Sequence, residues 1–103
     1  MDRRTKARKR VETIFLTILL TIKDHKQITH KKLKSIISRH FNISPYAAKD
    51  YIEVLIDTEE IKRAGPFITL TEKGCQSIGL DYNKYIQLLY ANLTYNKKQN
   101  TKT

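Results

Sequence analysis

At 103 residues and 40% hydrophobic content, the chain fits one domain around a single core and is too apolar for a disordered polypeptide. Twenty Lys and Arg against ten Asp and Glu leave a net charge of +10. That excess favours a polyanionic partner, because a basic surface displaces counterions condensed on phosphates. Cys75 is the only cysteine, which excludes an internal disulfide and a cysteine-based metal site and suits a reducing interior; a catalytic thiol or an intersubunit disulfide is the alternative to an unreactive residue.

Arg3, Arg4, Lys6, Arg8, Lys9 and Arg10 crowd residues 1–10, which are read as a basic N-terminal arm for DNA phosphates or the minor groove. The plainer alternative is a solvated tail. A helix is predicted from about Arg4 to Lys23, with Val11, Ile14, Phe15, Ile18, Leu19 and Ile22 forming one apolar face at spacings of three and four. Leu16 and Leu20 lie off that face, and a helix apolar on two sides usually buries both, one in the core and one against a partner subunit. The basic start and the apolar run Ile14–Leu20 superficially resemble a signal peptide, but no small-residue cleavage site follows. The run is also short of the roughly 20 residues that span a bilayer. No membrane partner and a cytoplasmic, nucleoid-associated location are therefore expected.

Asp24–Gln27 reads as a polar turn and Ile28 as a strand of one or two residues. Thr29 caps a second helix over His30–His40, with Leu33, Ile36 and Ile37 inward and Lys31, Lys32, Lys34 and Arg39 outward. Phe41–Ile43 connects it to Ser44-Pro45, where serine caps free N–H groups and proline occupies the first helical position at no hydrogen-bonding cost. The third helix runs to about Thr58, with Ala48, Ile52, Leu55 and Ile56 inward and Tyr46, Ala47, Lys49, Asp50 and Glu53 on its outer side. Two β-type runs, Ile61–Arg63 and Phe67–Leu70, flank Ala64-Gly65-Pro66 as a hairpin. Thr71 caps a brief helix ending at Gly79, and Asp81 caps a last one from Tyr82 to about Tyr95. Residues 96–103 are rich in Lys, Asn, Gln and Thr and are expected to be a disordered basic tail.

The succession is helix, short strand, helix, tight turn, capped helix, hairpin, helix, helix. It resembles the winged helix-turn-helix fold: mainly α with a small β-hairpin, plus a C-terminal helix. At Leu70-Thr71-Glu72-Lys73-Gly74 the sequence looks like the stretch after the wing in PadR-like and MarR-like transcription regulators, and in small winged-helix proteins of archaeal viruses and plasmids. The resemblance covers roughly residues 11–95. It implies a domain over 11–80 and a C-terminal dimerisation helix over 81–95.

By that resemblance the third helix enters the major groove and presents Ser44, Tyr46, Ala47, Lys49 and Asp50. The chemistry is compatible: a capped N-terminus binds phosphate, lysine reaches a guanine edge or a phosphate, and a carboxylate accepts from a cytosine amine. The alternative is an ordinary solvated helix face. His30, Lys31, Lys32 and Lys34 would flank the groove and neutralise phosphates, as would Lys62 and Arg63 from the wing. The wing tip departs from the family in lacking a basic residue, so the N-terminal arginines are expected to take over minor-groove contact.

The last helix resembles the dimerisation helix of such regulators, and the apolar breadth of the first helix favours a homodimer in which Leu16 and Leu20 meet Tyr82, Tyr85, Ile86, Leu89 and Leu93 across a two-fold axis. The alternative is that the last helix only covers its own domain. No catalytic residue, metal site, cofactor or small-molecule effector is expected, since His25, His30 and His40 lack ligand spacing and no nucleophile motif is present. The expected function is double-stranded DNA binding by a dimeric transcription regulator. A non-specific architectural or plasmid-partition protein, an RNA binder and a protein-interaction module stand as alternatives.

Overall fold

The computed structural model describes the backbone of residues 3–101 and the side chains of residues 8–91. It is mainly helical, with a small three-stranded antiparallel sheet. Its elements are α1 (Arg3–His25), β1 (Ile28–Thr29), α2 (His30–Phe41), α3 (Pro45–Asp57), β2 (Ile61–Ala64), β3 (Phe67–Leu70), α4 (Glu72–Ser77) and α5 (Tyr82–Thr101).

Local signals set most of the boundaries. The Thr29 hydroxyl accepts from Lys32 N–H at 3.2 Å, and the Ser44 hydroxyl accepts from Ala47 N–H at 3.1 Å, each satisfying a free donor at a helix start. Asp81 does the same for α5 by accepting from Asn83 N–H at 2.9 Å. α2 ends where Asn42 turns left-handed (φ 53°), and Ile43 N–H then donates back to the Ser38 carbonyl. α1 runs to His25, slightly past its predicted end, and stops at the left-handed Lys26. The basic residues of the expected arm from Arg8 to Arg10 belong to α1, so this part of the arm is a helical extension continuous with the domain. Likewise the helical backbone of α5 continues through Thr101, past the end expected at Tyr95.

The hairpin closes through Gly65-Pro66, with Ala64 opposite Phe67. Gly65 takes φ 61°, and proline's fixed negative φ at the second position leaves a type II′ turn as the compatible two-residue solution. β1 joins this hairpin as a third strand, pairing Ile28 with Ile68, so the sheet order is β1-β3-β2. Because β1 is only two residues long, it leaves Leu70 N–H beyond its end. The Tyr85 hydroxyl accepts that hydrogen bond at 3.1 Å, inside the core.

The core combines Ile14, Ile18, Leu19 and Ile22 of α1 with Leu33 and Ile37 of α2, Ala48, Ile52 and Leu55 of α3, and the inward side of the sheet. Phe15 meets Tyr51 edge to face at 5.6 Å and joins α1 to α3. Each buried Ile or Leu contributes on the order of 1.5–3 kcal/mol by leaving water.

The Leu70–Gly74 stretch fastens α4 to the turn after α3. The Thr71 hydroxyl accepts from Gly74 N–H and donates to the Glu59 carbonyl, while Thr71 N–H donates to the Glu60 carbonyl. Lys73 Nζ donates to the Thr58 carbonyl at 2.7 Å, placing a cation at the negative end of α3. At Gly74 the helix backbone lies against the Glu60 carbonyl so closely that an added Cβ would overlap it. The threonine, lysine and glycine of this motif therefore have structural partners. Cys75 is fully buried beside them, so its thiol is not presented to a partner subunit.

Candidate nucleic-acid interface

The outward face of α3 follows from what its inner face buries. With Ala48, Ile52 and Leu55 in the core, helical periodicity turns Tyr46, Asp50, Glu53 and Asp57 outward along one stripe. Tyr46 is 81% exposed, the most open of the large hydrophobic side chains among the described residues. Lys49 is exposed on the flank of that stripe, Ser44 is exposed at the cap, and Ala47 is half-buried. The expected groove-facing set thus gathers on the first turns of α3, but the stripe carries three carboxylates and becomes acidic toward its C-terminal end.

Basic residues surround that N-terminal end. Arg10 Nη2 donates to the Phe41 carbonyl at 3.4 Å, bringing the start of α1 to the end of α2, beside the turn into Ser44. Arg8, Lys9 and Arg10 are exposed there, as are Arg39 and His40, whose ring meets Phe41 edge to face at 4.7 Å. Arg39 and the Arg10 contact are additions to the expected site, because nothing in the spacing of residues 10 and 41 shows them to be neighbours. Lys31 and Lys32 are exposed at the opposite end of α2, and Lys34 is half-buried. The side chains of Arg3 and Arg4 lie outside the described residues.

Two expected phosphate ligands lie against Glu53, Arg63 as a hydrogen-bonded ion pair and His30 in proximity alone. Arg63 Nη2 lies 2.9 Å from Glu53 Oε1, and His30 Nε2 lies 3.4 Å from the same oxygen. Glu53 therefore connects α2, α3 and β2. It sits four residues beyond Lys49 and seven beyond Tyr46, a helical spacing that is the one sequence signal for its place on the stripe. His30 Nε2 is enclosed and makes no hydrogen bond among the described residues.

Lys62 and Arg63 were expected to act together, and strand alternation separates them. Arg63 reaches Glu53 on the α3 side, while Lys62 lines a groove against α5 with Phe67, Ile86, Leu89 and Tyr90.

The expected dimer surface divides in the same way. Tyr85 is 2% exposed and bonded to β3, so it belongs to its own core and cannot meet a partner. Tyr82, Ile86 and Leu89 pack partly buried against that core, as the alternative of a self-covering helix would have it. Leu16 and Leu20 remain exposed on α1, and Leu88 and Tyr90 are exposed on α5. The side chain of Leu93 lies outside the described residues.

Among the described residues no helix is long and apolar enough to cross a membrane, and no three acidic, histidine or cysteine side chains gather as a metal site. No family model, curated protein or solved structure matches this chain.

Proposed function

We propose that this chain is a double-stranded DNA-binding protein of winged helix-turn-helix type, and that it acts as a dimeric transcription regulator without catalytic activity. In this reading α3 is the recognition helix and enters the major groove by its first turns. The β2–β3 hairpin is the wing, and α2 and the start of α1 contact the phosphate backbone. The observation that carries the reading is the capped N-terminus of α3, which presents exposed Tyr46 and Lys49 beside exposed cations of α1 and α2. The helix dipole and the surrounding cations favour a phosphate there.

The acidic C-terminal half of the α3 stripe favours a second reading, in which shallow backbone contact without base readout makes the protein architectural or a partition adaptor. Selection of bound duplexes from random DNA, with affinity measured at two salt concentrations, separates the two. A palindrome with half-sites about ten base pairs apart is expected for the dimeric regulator. Steep salt dependence with no enriched motif would replace it with the architectural reading. Preference for structured RNA, or no nucleic-acid binding, would overturn both.

A further inference from the structure

We propose that Glu53 is a base-reading residue, a carboxylate fixed on the outward stripe of α3 that accepts a hydrogen bond from a cytosine amine in the major groove. The inference rests on the reading of α3 as the groove-entering helix. It begins from an electrostatic difficulty. A bare carboxylate between two rows of phosphates is repelled, and the stripe carries Asp50, Glu53 and Asp57.

Of these three, Glu53 alone has a cationic partner among the described residues. Arg63 Nη2 sits 2.9 Å from its Oε1 and offsets its charge, while enclosed His30 Nε2, 3.4 Å from the same atom, restricts where the carboxylate can rest. Asp50 and Asp57 are exposed. Both ion-pair distances of Glu53 are to Oε1, and Oε2 takes no hydrogen bond among the described residues. The side chain is 35% exposed, so the pairing with Arg63 leaves Glu53 partly open to solvent, and the proposal takes Oε2 as the oxygen that meets an incoming donor.

The donor follows from the groove edges of the bases. A carboxylate only accepts, so guanine O6 and N7 and thymine O4 repel it. Adenine N6 donates, but its neighbouring N7 is an acceptor that opposes the second carboxylate oxygen. Cytosine N4 donates and has an acceptor on one side only, the O6 of its paired guanine, whereas adenine N6 lies between N7 and thymine O4; cytosine is therefore the best match. Arg63 is a positioning residue here, acting through Glu53.

The test is duplex selection with the full chain as wild type, Glu53→Gln, Glu53→Asp and Arg63→Gln, with circular dichroism confirming that each variant folds. Wild type is expected to enrich cytosine at one position of each half-site. Glutamine both donates and accepts, so Glu53→Gln should move that position to adenine, changing the cytosine-to-adenine preference by about fivefold to a hundredfold. Glu53→Asp keeps the charge but shortens the reach and should lose the preference at that position alone. Arg63→Gln should keep cytosine with lower contrast and weaken binding on every sequence. A folded Glu53→Gln protein that enriches the wild-type motif unchanged overturns the proposal while leaving α3 as the recognition helix. Where Glu53→Gln does not fold, Glu53→Asp decides, and an unchanged motif there likewise overturns it. A wild-type protein that enriches no DNA sequence overturns base readout by α3, and this proposal with it.

Discussion

Tyr85 shows how a single side chain joins topology to stability. Its ring fills the space between α5 and the sheet, and its hydroxyl accepts the Leu70 N–H that β1 is too short to reach. Burial raises the phenol above its ordinary pKa, with the hydrogen bond from Leu70 pulling the other way and Cys75 and Tyr82 adding smaller contributions to the rise. The folded state thus holds its proton more tightly than the unfolded chain does. Its contribution to stability is full below the ordinary phenol pKa of about 10 and is lost as pH rises through the higher folded value. The buried Cys75 thiol, raised chiefly by desolvation and then by Asp81 and Glu72, acts in the same direction from a lower starting pH. Urea midpoints are expected to hold between pH 7 and 8 and to fall at alkaline pH. Tyr85→Phe should cost about 1–3 kcal/mol at neutral pH by orphaning the Leu70 N–H, and should reduce the alkaline decline. An unchanged midpoint at pH 7 would show that water replaces the hydroxyl. Gly74→Ala, measured by the same urea titration, should cost at least about 1–3 kcal/mol, because the new Cβ meets the rigid Glu60 carbonyl rather than a side chain that can move aside.

Among the elements, α3 shows how far local chemistry reaches. Ser44 and Pro45 start it as read from sequence, since capping needs only a side chain and the next three residues of the same stretch of chain. Ser44→Ala should lower stability by roughly 1 kcal/mol in chemical denaturation. If Ser44 also contacts phosphate, this variant should weaken DNA binding by more than its loss of stability accounts for, as a filter-binding titration on folded protein would reveal. The inward stripe of α3 was legible for the same local reason, with Ala48, Ile52 and Leu55 buried as expected and Ile56 only partly so. What α3 faces outward with was less legible. Glu53 was visible as an outer position, but its ties to His30 and Arg63 depend on α2 and β2 lying on either side of it.

For the whole molecule, the exposed apolar residues bear on the proposed dimer. α1 keeps Leu16 and Leu20 at 46% and 38% exposure although its opposite face is fully buried. These two side chains, one turn apart, are the surface that the proposed dimer would bury on α1. Changing both leucines to Glu should shift sedimentation from dimer to monomer while leaving the unfolding midpoint of the isolated subunit within about 0.5 kcal/mol of wild type. Unchanged sedimentation of a wild-type dimer would move the interface to another surface, with the Leu88 and Tyr90 side of α5 next to be tested. A wild-type monomer at all concentrations would remove the dimer.

The end of α5 could not be read from the order of residues, whereas the starts of the helices with their N-caps, the hairpin turn and the stripes that α1, α2 and α3 bury could. Each of these depends on residues within a turn or two of one another, where side-chain type and spacing suffice. Other features exist only once the chain has packed. Ile28 and Thr29 join the sheet, Tyr85 turns inward, Lys62 and Arg63 fall on opposite sides of the hairpin, and Arg10 comes to lie beside Phe41. These outcomes join residues far apart in the chain. They are selected by which surfaces can be buried together and which leftover donors and charges then find partners, and periodicity along one segment carries no record of that choice.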